Sequence, residues 1–168
     1  MTDKEKNGRL THVDRAGGAK MVDVSGKAMQ ERVAVATAVV TVSEDCAARI
    51  AENNIKKGDV LTTAQLAGIM AAKQTPQLIP MCHPLRLDLI DLDCRLVDNR
   101  VEIKAKVSSR ERTGVEMEAL TAASAAALTI FDMCKAVDPA MVIGPIQVEN
   151  KIKDGKVSFD RSKTGVTS

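Results

Sequence analysis

Residues 78–85 read "LIPMCHPL", a cysteine and a histidine side by side between two prolines. Proline fixes its own φ and drives the residue before it out of the helical region, so Ile79 and His83 are expected to be extended. The octet reads as a stiff, partly covered loop that holds Cys82 and His83 in set directions. An imidazole that titrates near neutrality can act as acid, base or phosphate ligand, although a lone loop histidine more often only packs. Asp132 and Lys135 lie three apart near the end of an apolar helical stretch, so they share a face and can pair. By spacing alone a surface ion pair is the default reading, with Lys135 favoured at a helix C-terminus, and a functional pair is the alternative. Glu116 and Glu118 open the same stretch. Glu116 has capping-box spacing from Thr113, whereas Glu118, on the face that carries Asp132 about four turns later, has only first-turn acidity to justify it. Lys57, Lys73 and Lys151 are solvated lysines by default.

Other chemistries find no support. The chain has no GxxxxGK[ST] phosphate loop, no GxGxxG after a strand and no HExxH. Cys46, Cys82, Cys94 and Cys134 are scattered, with no CxxC pair, so reduced thiols are expected and no dedicated metal site. With 24 Lys and Arg against 22 Asp and Glu, the net charge of +2 creates no field for nucleic acid or a membrane surface. Trp and Tyr are absent and the only aromatics are Phe131 and Phe159, so base-stacking platforms are nearly absent too. The opening "MTDKEKNGRL" lacks the apolar core of a secretory signal, and the longest apolar runs, such as "VAVATAVV", fall short of a membrane span. A cytoplasmic protein is the expectation.

The elements that must hold these residues form one domain, expected over residues 10–160, with residues 1–9 and 161–168 loose. Residues 33–42 are rich in β-branched side chains and read as a strand; Ser43 then caps a helix through about Asn53. A second helix is expected from Thr62, which has capping-box spacing to Gln65, until Pro76 ends it. From Leu85 the apolar positions alternate but shift by one at Leu89 and Ile90, which predicts a strand with a bulge there. Asp98 and Asn99 turn it back into a strand with Val101, Ile103, Ala105 and Val107 on one face. The long helix follows. The last strand, about Val142 to Ile152, is expected to point Ile146, Val148 and Ile152 inward and Gln147, Glu149 and Lys151 away, before an Asp-Gly turn and a short return strand. Strand, two helices, hairpin, long helix, strand is the α+β, ferredoxin-like (split βαβ) pattern: an antiparallel sheet with helices on one face and one extra helix. The sheet's other face is then either solvated or buried on another subunit.

Three stretches, "KMVDVSGKA", "TAQLAGIMAAKQTPQLIPMCHPL" and "TGVEMEALTAASAAALTIFDMCKAVDPAMVIGPI", together resemble the cyclic pyranopterin monophosphate synthase (MoaC) family of molybdenum cofactor biosynthesis. The likeness runs in order over roughly residues 10–151. It implies a lyase that rebuilds a cyclised GTP, 3',8-cyclo-7,8-dihydro-GTP, into cyclic pyranopterin monophosphate and releases diphosphate. Carried over by motif, it implies catalytic roles for Asp132, Lys135 and Lys151. It implies substrate binding by Met81, Cys82 and His83 and by Met117 and Glu118, with Lys57, Lys73, Arg32 and Asp23 around the same pocket. No cofactor is expected to be required; magnesium on the substrate phosphates is compatible with the chemistry, although the sequence shows no dedicated metal cage. A homohexamer built as a trimer of dimers is implied, as is a transient contact with the preceding radical enzyme of the pathway. The chain departs from the family after Lys151, where "IKDGKVSF" replaces a "SGGKSG"-like run, so Lys151 is placed by counting from "MVIGPI"; a threonine common two residues before Arg32 is also missing.

Ring rebuilding and attack on the α-phosphorus both need proton transfer at neutral pH, and a lysine supplies it when burial or nearby cations lower its pKa. Lys135 and Lys151 are therefore expected to move protons. Asp132 is expected to orient Lys135 or take a proton itself, and His83, Lys57 and Lys73 to bind the triphosphate. Two other classes fit the residues: a non-catalytic nucleotide-binding module of ferredoxin-like fold, and a hydrolase with Cys82 as nucleophile.

Overall fold

The computed structural model describes residues 17–165. The loose N-terminus expected over residues 1–9 lies outside them. The elements run β1 (Gln30–Thr41), α1 (Glu44–Ala51), α2 (Val60–Lys73), α3 (Thr75–Leu78), β2 (Leu89–Val97), β3 (Arg100–Glu111), α4 (Glu116–Cys134), β4 (Val142–Lys153) and β5 (Lys156–Asp160). The strands make one antiparallel sheet in the order β2-β3-β1-β4-β5. This is the expected α+β, ferredoxin-like arrangement, with β5 added at the edge.

Period-two burial builds one side of the sheet. Ala34, Ala36, Ala38 and Val40 of β1 and Val101, Ile103, Ala105 and Val107 of β3 are all essentially buried. They meet the alanine stripe of α4, where Ala119, Ala122, Ala123, Ala126 and Ala127 are fully covered, so small side chains on both surfaces bring helix and sheet close together. By length and composition α4 could cross a membrane, but half of that stretch is buried inside the fold. Burial pushes the thiols of Cys94 and Cys134 up to about 12, so both stay neutral thiols in the core. On the opposite side of the sheet β2 and β3 set Asp91 against Lys106, Asp93 against Lys104 and Arg95 against Glu102, complementary pairs that suit a wet surface. The central residues Val33, Val35 and Val39 on that side are half-buried.

Several boundaries differ from expectation. α2 starts at Val60, because Asp59 is the better cap: its carboxylate accepts from the Thr62 backbone N–H at 3.0 Å and from the Thr62 hydroxyl at 2.7 Å. Pro76 does not end α2. It sits in the first turn of α3, where a missing N–H costs nothing. Ile79 is extended, as proline demands. No bulge interrupts β2, whose register with β3 is unbroken from Leu89; residues 85–88 are an irregular lead-in, and that change of geometry produces the one-residue shift of the apolar pattern. The predicted turn holds, with Asp98 at φ 53 between paired Val97 and Arg100. The expected capping box at α4 is absent: Val115 occupies the N-cap position with no side-chain cap. Residues 161–163, expected as loose, form a 3-10 turn capped by Asp160.

The largest change concerns β4. Val148 pairs with Ala36, but Asn150 pairs with Val35 and Lys151 with Ala34, so Glu149 is an extra residue at this point of β4. This bulge turns Lys151 onto the side of Ala34, Ala36 and Val148, facing the helices, and puts Ile152, opposite Val33, on the other side. The uninterrupted alternation expected for β4 therefore assigned both residues to the wrong faces.

α2 crosses α4 at Gly68. A Cβ there would stand 2.5 Å from Leu92 Cδ2 and 2.8 Å from the Ala122 carbonyl oxygen, and the backbone oxygen cannot move aside. Gly68→Ala is expected to destabilise the fold by about 1–3 kcal/mol despite alanine's better helix propensity. A thermal midpoint equal to or above wild type would contradict this contact.

Candidate active site

β3 ends at Glu111, and the chain turns through Thr113 and Gly114 into α4. The loop after α3 and the segment around Val22 and Val24 close over that corner, leaving a cavity of about 420 Å³, a size ordinary for small-molecule sites. Met81, Cys82, His83, Met117, Glu118 and Lys151 all line it. The proline-bracketed loop thus does hold its histidine at a cavity wall. His83 Nε2 donates to the Val22 carbonyl oxygen at 2.9 Å, since a carbonyl only accepts, and Nδ1 is the ring atom left for a ligand.

Glu118 is 3% exposed. Burial pushes its pKa up, with partial relief from its own backbone N–H and a further rise from the charge of Glu116. The Cys82 thiol is pushed up by burial and by the Glu118 carboxyl, so it is not a poised thiolate. Glu116, which its spacing made a helix cap, instead accepts from Lys151 Nζ at 3.0 Å. Lys27 lines the cavity as well. Sequence reasoning missed both residues; the only available signal for Lys27 was its place in "KMVDVSGKA".

The second cluster lies at the other end of α4. Asp132 Oδ1 accepts from Lys135 Nζ at 2.7 Å and Oδ2 from Lys57 Nζ at 2.6 Å, while the Lys57 amine also reaches the Asp132 carbonyl oxygen at 2.8 Å. These two ammonium groups, Lys135 foremost, hold the Asp132 carboxyl down to about 2. Asp132 is therefore an anion and a weak base at neutral pH. Lys135 is not buried against the helix: its side chain is 55% exposed, and its setting is electrostatic.

Other expected site residues stand apart. Lys57 precedes α2 and touches the end of α4, so α2 runs antiparallel to α4 and its last residue, the exposed Lys73, lies toward the cavity end but outside the lining. Asp23, exposed between the cavity residues Val22 and Val24, accepts from the Ser25 backbone N–H at 2.8 Å, which lowers its pKa. Arg32 is half-buried in β1 and donates to Gln30 Oε1 at 2.9 Å. Within one chain, then, Glu118 and Asp132 lie fourteen residues apart along α4, about 21 Å at the helical rise per residue. Among the described residues no group of three or more His, Cys, Asp and Glu gathers as for a metal ion.

The sequence model of the MoaC family matches residues 21–154, a span that includes the cavity, both clusters and the β4 bulge. A protein named cyclic pyranopterin monophosphate synthase from Streptomyces avermitilis is 51% identical over 154 residues, covering 92% of this chain and 91% of the relative. The same name is borne by a protein of Halalkalibacterium halodurans, 50% identical over 92% of this chain and 96% of its own length, and by one of Brevibacillus brevis, 48% identical over 97% and 99%. With matches of this identity along nearly its whole length, the chain belongs to the MoaC family.

Proposed function

We propose that this chain is a lyase that converts 3',8-cyclo-7,8-dihydroguanosine 5'-triphosphate to cyclic pyranopterin monophosphate, with release of diphosphate, in molybdenum cofactor biosynthesis. The observation that carries the reading is the family match across residues 21–154 with both polar clusters inside it. In this reading His83, Lys27 and Lys151 offer cationic or donor groups to the triphosphate, and the covered Glu118 carboxyl faces the purine-derived ring. Lys135 and Lys151 move protons during ring opening and closure. Asp132, held as an anion, orients Lys135 and does not accept the proton itself. A ring hydroxyl attacks the α-phosphorus as the bond to diphosphate breaks, and the surrounding ammonium groups stabilise the leaving charge. Magnesium enters with the substrate phosphates.

The 21 Å between the two clusters exceeds what one compact cyclised nucleotide spans, so the complete site is shared between chains. Two α4 helices running antiparallel across a two-fold axis would bring the His83 end of one beside the Lys135 end of the other. Exposed Leu66, Met70 and Leu128 on the helix layer, 58%, 62% and 62% accessible, offer an apolar surface for that contact. A hexamer of three such dimers, a cytoplasmic location and a transient meeting with the enzyme that makes the substrate belong to the same proposal.

Diphosphate release from the purified cyclised nucleotide tests the reaction. A binding module would retain the nucleotide and release none. Cys82→Ser is expected to keep at least a large fraction of turnover, because a covered, neutral thiol is a poor nucleophile. Abolished turnover with intact substrate binding would favour the hydrolase reading instead.

A further inference from the structure

A lysine amine on four rotatable bonds, such as that of Lys151, needs something to hold it. Two irregularities of the sheet provide neighbours. The bulge in β4 turns Lys151 to the helix side. A second register shift, between Lys151 and Ile152 in the pairing with β5, sets Ile152 opposite Val157 but Lys151 opposite Phe159, so Ser158 is the extra residue. The Ser158 hydroxyl donates to the Lys151 carbonyl oxygen at 3.1 Å and ties this bulge to the lysine. Without it Phe159 would fall opposite Asn150, on the far side of the sheet. With it, Lys151 Nζ lies 5.8 Å from the centroid of the Phe159 ring and 3.0 Å from Glu116 Oε1. The Arg161 guanidinium lies 5.9 Å from the same centroid, and its Nε donates to the Val148 carbonyl oxygen at 2.8 Å, which fixes the ring to β4.

We infer that Phe159 is a positioning residue: its ring and the Glu116 carboxylate hold the Lys151 ammonium at the cavity wall. The inference rests on the catalytic reading of Lys151 given above. A cation over an aromatic face is held by the ring quadrupole, and leucine or isoleucine would keep the bulk and strand character of Phe159 but not that attraction.

The test combines geometry and rate on the intact protein. Isotope-labelled methyl groups placed on the lysine amines report the Lys151 environment by nuclear magnetic resonance, the signal being assigned by its loss in Lys151→Ala. In Phe159→Leu and Phe159→Ile that signal is expected to lose its ring-current displacement, and in Phe159→Tyr to keep it. Both aliphatic variants should lower kcat about five-fold with KM little changed, the ratio corresponding to about 1 kcal/mol of cation–π contact. Phe159→Tyr should restore kcat, and in a Lys151→Ala background Phe159→Leu should cost nothing further. An unmoved methyl signal or a wild-type kcat in Phe159→Leu overturns the positioning role, and so does an equal loss in both backgrounds, which marks a merely structural effect. Full turnover by Lys151→Ala overturns the catalytic reading of Lys151 instead, and the methyl signal would then still report whether the ring holds the amine.

Discussion

Lys135→Ala will lower turnover by about 10²- to 10⁴-fold, the usual worth of a positioned proton-transfer group; Asp132→Asn, which removes the anion that orients Lys135, will lower it in the same direction, and both variants will keep the fold intact. The two effects separate because of where the groups lie. Lys57, Lys135 and Asp132 are each about half exposed at the end of α4, and ion pairs on such a surface add little to stability. Their geometry is nonetheless specific: one carboxylate receives one ammonium on each oxygen, at 2.7 and 2.6 Å. Asparagine keeps the shape of Asp132 but removes the charge that holds both lysines. The pH dependence follows with a definite sign. The carboxyl of Asp132 is lowered from 3.8 to about 2 in the folded chain, so its contribution to stability is complete above about pH 4 and is lost as pH falls toward 2. An activity limb between pH 5 and 9 therefore belongs to another group. Circular dichroism and gel filtration check the fold of both variants, and diphosphate release checks the rate. Near-normal turnover in either variant would remove that residue from the catalytic machinery.

Mixing two inactive variants will restore activity to about a quarter of wild type. His83 lies at the cavity at one end of α4 and Lys135 at the other end, so one site that uses both must take them from two chains. His83→Ala and Lys135→Ala should each be nearly inactive alone. Refolded together in equal amounts, half of the dimers pair unlike chains. In each of these, two-fold symmetry puts both substitutions into one site and leaves the other with native His83 and native Lys135. One intact site in every four follows. Mass spectrometry can confirm mixed dimers; if they are present and activity does not return, both residues serve a site within one chain and the shared-site proposal fails.

The sequence by itself determined the α+β order, the core faces of β1 and β3, the stiff loop around His83, and the separation of Glu118 from Asp132 and Lys135 along α4. Each of these depends on near neighbours. Side chains alternate along a strand, proline constrains its predecessor, and fourteen residues of helix have a known length whatever packs against them. Tertiary structure decided who meets whom over distance. Lys57 and Asp132 are 75 positions apart and share an ion pair. Glu116 could equally cap its own helix, and it binds Lys151 because β4 brings the amine to it. The facing of Lys151 turned on a single extra residue in β4, and that of Phe159 on one in β5. Local propensity is nearly indifferent to where such a residue is inserted. The fit of the whole sheet against α4 selects the position, and a shift of one reverses every side chain beyond it. For the same reason the regular alternation visible in residues 142–152 identified a strand correctly and still placed Lys151 on the wrong face.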